Sequence, residues 1–380
     1  MKTLFRAVLC AAFVCGFARA SQAQAGAAEP WSFGLAVNGS YEGNALFAAS
    51  EGEEEFSHSV SANLARGWTL RRGSASLTGS ASQFFYRKTT SLNDFRYNAA
   101  GSLSHALTRR LMWSGSGAVS SGLARDAELL TDAGLVLPSV STRSSSSSSM
   151  FSYALTRRSQ LSWSLSQAGV GFSSGLFRGG TSLTSVLSYG RQVGRSQTIG
   201  VTQDYARSFS GDESTTIQGV SGTWSGTMTG DWTAHASVGV RPYSVPDEDG
   251  NRFTTGISAG VSKPVRPGQT MGVNYDRTVT QTFGVDTGNH LVQSVSGNYS
   301  IALTRTLSTS FAGTYSKSHN PLSPDQGLEG QTASASLAYR VTPSLALSIS
   351  SAMYSRALSG SDRATSYNTG VSLSYGTSWR

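Results

Sequence analysis

An all-β chain, folded as a single antiparallel up-and-down transmembrane β-barrel of about eighteen strands, is what this sequence predicts. Three observations predict it. Apolar residues alternate with small polar ones from about residue 31 to the end, connections alternate between tight and long, and charge is too sparse for a soluble sheet protein of this length.

The chain begins with Lys2 and Arg6 ahead of an apolar run that closes on Ala23-Gln24-Ala25, the pattern of a secretory leader. Residues 1–25 are therefore read as a cleaved signal peptide and 26–380 as one barrel domain. Both cysteines, Cys10 and Cys15, fall in the leader, so the exported chain has neither a disulfide framework nor a thiol site. Losing Lys2, Arg6 and Arg19 lowers the formal charge from +8 to +5, spread thinly, which argues against a nucleic-acid partner. No mature segment has the roughly 18 consecutive apolar residues of a membrane helix.

The alternation is clearest in residues 291–303, where Leu291, Val295, Tyr299, Ile301 and Leu303 occupy odd positions and Ser294, Ser296, Asn298 and Ser300 even ones. A period of two means a strand with two unlike faces. It returns in Trp31, Phe33, Leu35, Val37; in Trp232, Ala234, Ala236, Val238, Val240; and in Val371, Leu373, Tyr375. In a soluble sandwich the polar face would carry many Lys, Glu and Asp. Here it is Ser, Thr, Gly, Ala and Asn, which suits a barrel whose apolar face meets lipid and whose polar face meets a lumen. Closure also leaves no unpaired strand edge in hydrocarbon.

Candidate strands run in order at 31–42, 56–66, 73–87, 95–107, 111–122, 141–155, 159–171, 181–190 and 196–207. The second half continues at 214–227, 231–242, 251–264, 268–280, 289–303, 306–318, 329–341, 344–356 and 363–379. Tight reversals recur about every 37 residues over most of the chain, the length of one hairpin plus its loop. Three of them share a phrase: ALTRR at 106–110 and 154–158, and ALTRT at 302–306. Leu107, Leu155 and Leu303 are the last lipid-facing residues there, and Arg109, Arg110, Arg157, Arg158 and Arg305 reach headgroups and water on the periplasmic side. Tyr153, Tyr189, Tyr299, Tyr339, Trp113 and Trp163 beside these turns fit an interfacial girdle.

On the polar face the alternation places Asp204, His235, Arg241, Asn274, Asp276, Asn298, Arg340 and Arg356 as candidate lumen-lining residues. Mixed charges among small polar groups suit neutral hydrated solutes better than strong ion selection. The loop 125–140, with Leu129, Leu130, Leu135 and Leu137 too apolar for full exposure, is the candidate constriction. Gly171-Phe172-Ser173-Ser174-Gly175 matches G-x-S-x-G, but it sits at a strand end in a Ser- and Gly-crowded chain and reads as chance. Asp247-Glu248-Asp249-Gly250-Asn251 lacks the distal ligand of a calcium loop and reads as a polar turn. Glu51, Glu53, Glu54 and Glu55 read as a solvated acidic loop. No cofactor is implied.

On the leader, the alternating strands, the asymmetry of turns and loops and the closing strand, the chain resembles a Gram-negative outer-membrane β-barrel across essentially all of 26–380. It departs from that pattern in ending Trp379-Arg380 rather than on an aromatic residue. The resemblance implies the bacterial outer membrane, contact with its lipid and lipopolysaccharide, and insertion by the barrel-assembly machinery. The strand number is similar to that of porin-like barrels that pass sugars or export polysaccharide. This implies a channel for hydrophilic solutes, carbohydrate foremost, with a periplasmic polysaccharide-export complex as partner in the export case. An outer-membrane barrel enzyme, lipase or protease, and a closed structural or adhesin barrel stand as alternatives, and no nucleic-acid partner is expected.

Overall fold

In the computed structural model the described residues are 31–44, 54–123, 140–175, 177–211, 213–244, 251–266, 268–283, 288–320, 323–358 and 363–379. The first nine strands are β1 (Trp31–Gly43), β2 (Glu55–Leu70), β3 (Gly73–Tyr86), β4 (Asp94–Ala106), β5 (Leu111–Leu123), β6 (Ser141–Ala154), β7 (Ser159–Phe172), β8 (Gly180–Gln192) and β9 (Gln197–Ser210). The other nine are β10 (Glu213–Thr227), β11 (Thr233–Ser244), β12 (Asn251–Arg266), β13 (Gln269–Thr282), β14 (Gly288–Ala302), β15 (Leu307–Asn320), β16 (Ser323–Arg340), β17 (Leu345–Leu358) and β18 (Ala364–Trp379). Each pairs antiparallel with its sequence neighbours, and β1 pairs with β18 from Trp31↔Trp379 to Gly43↔Tyr367, closing an 18-stranded barrel. The signal peptide expected at 1–25 lies outside the described residues.

Register ties the faces together. Val37 stands opposite Val60 on β2 and Leu373 on β18, and all three are at least 48% exposed with no protein outside them. Asn38 stands opposite Ser59 and Ser372 on the inner side. Because side chains alternate strictly, one such pair fixes the face of every residue on a strand. The outward set is dominated by Val, Leu, Ile, Phe and Tyr, the inverse of a soluble protein and the pattern of a barrel whose outer face meets lipid.

Tight turns close one end. In the ALTRR phrase the threonine makes the turn: Thr108 Oγ1 accepts the backbone N–H groups of Arg110 (3.2 Å) and Leu111 (3.0 Å). Thr156 does the same for Arg158 (3.1 Å), and Thr304 for Thr306 (3.2 Å) and Leu307 (3.0 Å). Thr342 repeats the device in Val-Thr-Pro-Ser, toward Ser344 (3.3 Å) and Leu345 (3.0 Å). A hydroxyl that satisfies two donors of a short reversal explains the recurrence of threonine, while Arg109, Arg110, Arg157, Arg158 and Arg305 lie exposed around it. Just inside stand the outward aromatics, with Tyr153, Tyr189, Tyr339 and Trp163 all at least 40% exposed.

Candidate functional site: the lumen and its mouth

Inward residues are mostly Ser, Thr, Gly, Ala and Asn, and many are wet. Ser148, His235, Asn298, Thr314 and Arg340 are exposed although the wall encloses them, so the lumen is not filled by side chains. Wide barrels leave an aqueous channel in this way. Asp204, His235, Arg241, Asn274, Asp276, Asn298, Arg340 and Arg356 all fall on the inward side of their strands, opposite inward partners such as Gly219, Gly260, Thr254, Ser296, Ser258, Gly272, Ala346 and Gly330.

Several of these side chains lie flat on the wall. Asp204 leans over Gly219, Arg241 over Gly256, and His235 and Asn274 meet over Gly260 from either side, so a Cβ at those glycines would strike them. Glycine on one strand thus makes room for a polar group from the next. Arg241 Nη2 donates to Asp204 Oδ1 at 3.2 Å, bridging β11 to β9 across β10. The two side chains are only 26% and 12% exposed, and the carboxylate cancels the guanidinium charge on that wall.

The long-loop end holds what the alternation did not foresee. β12 pairs with β13 only up to Ile257↔Arg277, whereas β13 and β14 stay paired to Thr282↔Gly288. Beyond Arg277 the β13–β14 hairpin leaves the wall and folds inward. Val279 and Leu291 pack on the inward residues Ile217 of β10 and Tyr243 of β11, with Ala206 beside them. Gln281 Nε2 donates to the Thr215 carbonyl (3.3 Å) and Asn289 Nδ2 to the Ser244 carbonyl (2.6 Å). Phe283, 7% exposed, lies against Gly180 on β8, where a Cβ would collide with the ring. The hairpin therefore reaches from β13 to β8 across the inner faces of four intervening strands.

The opposite wall carries a polar and aromatic group. The Arg96 guanidinium stacks on Phe84 at 3.7 Å, its Nη2 donates to the Tyr86 hydroxyl at 3.5 Å, and Asp94 Oδ2 is 3.8 Å from its Nε. Tyr86, Leu92 and Leu123 form a small buried cluster there. Glu55 corrects the expectation of a solvated acid: it starts β2, is 1% exposed, and its carboxylate accepts the backbone N–H groups of Phe56 (3.0 Å), Lys88 (2.9 Å) and Thr89 (2.7 Å). It fastens the loop after β3 to β2.

The leucines expected to form the constriction, Leu129, Leu130, Leu135 and Leu137, lie outside the described residues. Val140, at the end of that loop, packs on Phe177 and Phe172. Ser173, the central residue of the G-x-S-x-G match, accepts the Ser141 N–H at 3.0 Å, a loop contact without a catalytic partner in it. Among the described residues no group of three His, Cys, Asp or Glu could hold a metal.

No protein-family model matches the chain, and no curated protein is similar to it in sequence. Solved structures do share its fold. OccAB4 of Acinetobacter baumannii aligns with a TM-score of 0.50 over 94% of this chain and 99% of its own, at 11% identity. OccK2 (OpdF) of Pseudomonas aeruginosa, solved in complex with glucuronate, aligns with a TM-score of 0.50 over 92% of this chain and 98% of its own, also at 11% identity. At that identity the likeness is one of fold.

Proposed function

We propose that the chain is an outer-membrane channel through which small hydrophilic solutes, sugars and sugar acids foremost, diffuse. The observation that carries this reading is the β13–β14 hairpin folded across a wet, polar-lined barrel. An unobstructed barrel would suit a polymer. One narrowed at the long-loop end by Val279, Phe283 and Leu291, and left polar elsewhere, suits small solutes. Mixed charge on the wall, Asp94 beside Arg96 and Asp204 paired with Arg241, favours neutral or singly charged hydrated molecules over a fixed ion sign. That OccK2 was solved with glucuronate agrees with the sugar-acid end of this range.

In this reading the leader 1–25 is removed on export, the barrel-assembly machinery inserts the chain, and the tight turns with their arginines face the periplasm. The long-loop end then meets lipopolysaccharide. Small-solute diffusion is preferred to polysaccharide export, and no export complex is needed. Liposomes carrying folded protein should swell in isotonic monosaccharide and glucuronate, and swell far less in a long oligosaccharide. Equal swelling in all three would contradict the narrowed mouth, and none in any would contradict the channel.

A further inference from the structure

Beside the closing seam, the outer wall holds a cation between two aromatic rings. Even-numbered residues of β2 point outward, as the exposed Val60 and Leu64 show, and Arg66 continues that series opposite the exposed Leu77 of β3. Ser32 of β1 pairs with Ala65, so Trp31, the first residue of that strand, falls level with Arg66. Trp68 is the next outward residue of β2. The Arg66 guanidinium carbon stands 4.9 Å from the centre of the Trp31 ring and 5.2 Å from that of Trp68, and the two rings meet edge to face at 6.2 Å.

Rings that hold a guanidinium do not neutralise it. Among the described residues Arg66 Nε is buried with no hydrogen-bond partner, and the side chain makes no ion pair. Acids are absent from this end of the neighbouring strands: β3 and β18 have none, and those of β1 and β2, Glu42 and Glu55, stand at the long-loop end. Other outward cations are placed differently. Lys317 pairs with Glu329 at 3.5 Å, Arg207 donates to Ser214 at 3.5 Å, and Arg143 is exposed near the start of β6 at the loop end. Arg277, whose Nε is also buried and unpaired, lies where the β13–β14 hairpin leaves the wall, with no ring against it among the described residues. At the tight-turn end Arg191 is next to the last residue of β8, and Lys263, 5.2 Å from the Trp232 ring, lies three residues before the end of β12. Arg66 is four residues before the end of β2, inside the paired wall.

A charge at the edge of the hydrocarbon calls for a counter-ion, and tryptophans at the strand ends mark the level of the headgroups. Toward mid-membrane the outward neighbours are Leu64 and Leu35, so what reaches Arg66 along the wall is lipid. We propose that Arg66, held between Trp31 and Trp68, binds the phosphodiester of a phospholipid headgroup beside the β1–β18 seam. Its planar fork of N–H donors matches two phosphate oxygens, and the rings hold that fork in place before the lipid arrives. The inference rests on the reading that the tight turns face the periplasm, which makes this a lipid of the inner leaflet.

Native mass spectrometry of the folded barrel in mild detergent tests this, with phosphatidylglycerol and a diacylglycerol of the same acyl chains as probes. Only protein that migrates as a heat-modifiable barrel is counted. The wild type should retain one phosphatidylglycerol under activation that strips the diacylglycerol. Arg66→Gln should lower the retained fraction severalfold, and Arg66→Lys less, because an ammonium keeps the charge without the fork. Trp68→Leu keeps the cation but frees it, and should also lower retention. Arg110→Gln, in the next tight turn, should leave it unchanged. Equal retention of both lipids, no loss in Arg66→Gln or Trp68→Leu, or an equal loss in Arg110→Gln would each overturn the proposal. So would displacement of the lipid by excess inorganic phosphate, or tighter retention of lipid A than of phosphatidylglycerol. Liposome swelling by Arg66→Gln should match the wild type, so failure here and failure of the channel reading are distinguishable.

Discussion

The two halves of the barrel mouth are built on different chemistry. Over β8 to β12 the inner wall is roofed by the β13–β14 hairpin, and inward residues that would otherwise be wet are apolar and closed off: Ile217 is 3% exposed and Tyr243 is 7%. Over β15 to β18 and β1 to β6 no hairpin crosses the wall among the described residues, and the cover there is local, Leu92 closing over Tyr86 and Leu123. Tyr354 is 39% exposed, and Arg96 is held by stacking on Phe84 and a hydrogen bond to Tyr86. The difference shows how a barrel with uniform strands acquires an asymmetric opening. One hairpin trades its wall position for contact with the inner face of the adjoining strands β8 to β11, and the residues it lands on change from polar to apolar to receive it.

Breaking the roofed half should have the largest effect. Replacing residues 278–292 with a short Gly-Ser linker removes Val279 and Leu291, exposes Ile217 and Tyr243 to water and should raise single-channel conductance severalfold. Gly180→Leu puts a side chain where the Phe283 ring lies and should lift the hairpin tip, giving a smaller rise and noisier openings in the same recording. Phe283→Ala in that background should add little, since both changes break one contact.

Sharpening the comparison through charge comes next. Asp204→Asn leaves Arg241 as an uncancelled cation on the inner wall below the roof, so the reversal potential in a salt gradient should move toward anion preference. On the open half, Glu55→Gln removes a carboxylate that accepts backbone N–H groups from Phe56, Lys88 and Thr89. The expected loss is about 2–3 kcal/mol of local stability, read as faster hydrogen exchange at Lys88 and Thr89 with little change in conductance. Smallest is Thr156→Val: losing one side-chain acceptor in a solvent-exposed turn should cost about 0.5–1 kcal/mol and leave conductance unchanged.

The wall was legible in the sequence because the bilayer and the lumen impose opposite demands on alternate residues, and a period of two records both. Asp204, Asn274 and Asn298 could be placed on the inner side from their neighbours alone. The ALTRR turns were legible for a similar reason, although the threonine hydroxyl, rather than the arginines, closes them. The inward hairpin was not legible, because Val279 and Leu291 continue the outward apolar series and look like the tops of lipid-facing strands. Their partners, Ile217 and Tyr243, are distant in sequence. The available signal was on the receiving side: Ile217 between Thr215 and Gly219, and Tyr243 two residues after Arg241, are apolar residues out of phase on a polar face. Phe84 and Tyr86 carry the same signal, hidden in the continuous run Phe84-Phe85-Tyr86 where both faces are aromatic.

The most direct test of a wet barrel narrowed by one folded hairpin is planar-bilayer recording of the wild-type protein beside the 278–292 replacement. Discrete steps from the wild type, and steps several times larger from the replacement, are the predicted result. Absence of steps from folded wild-type barrel, or the same step size from both proteins, would contradict it.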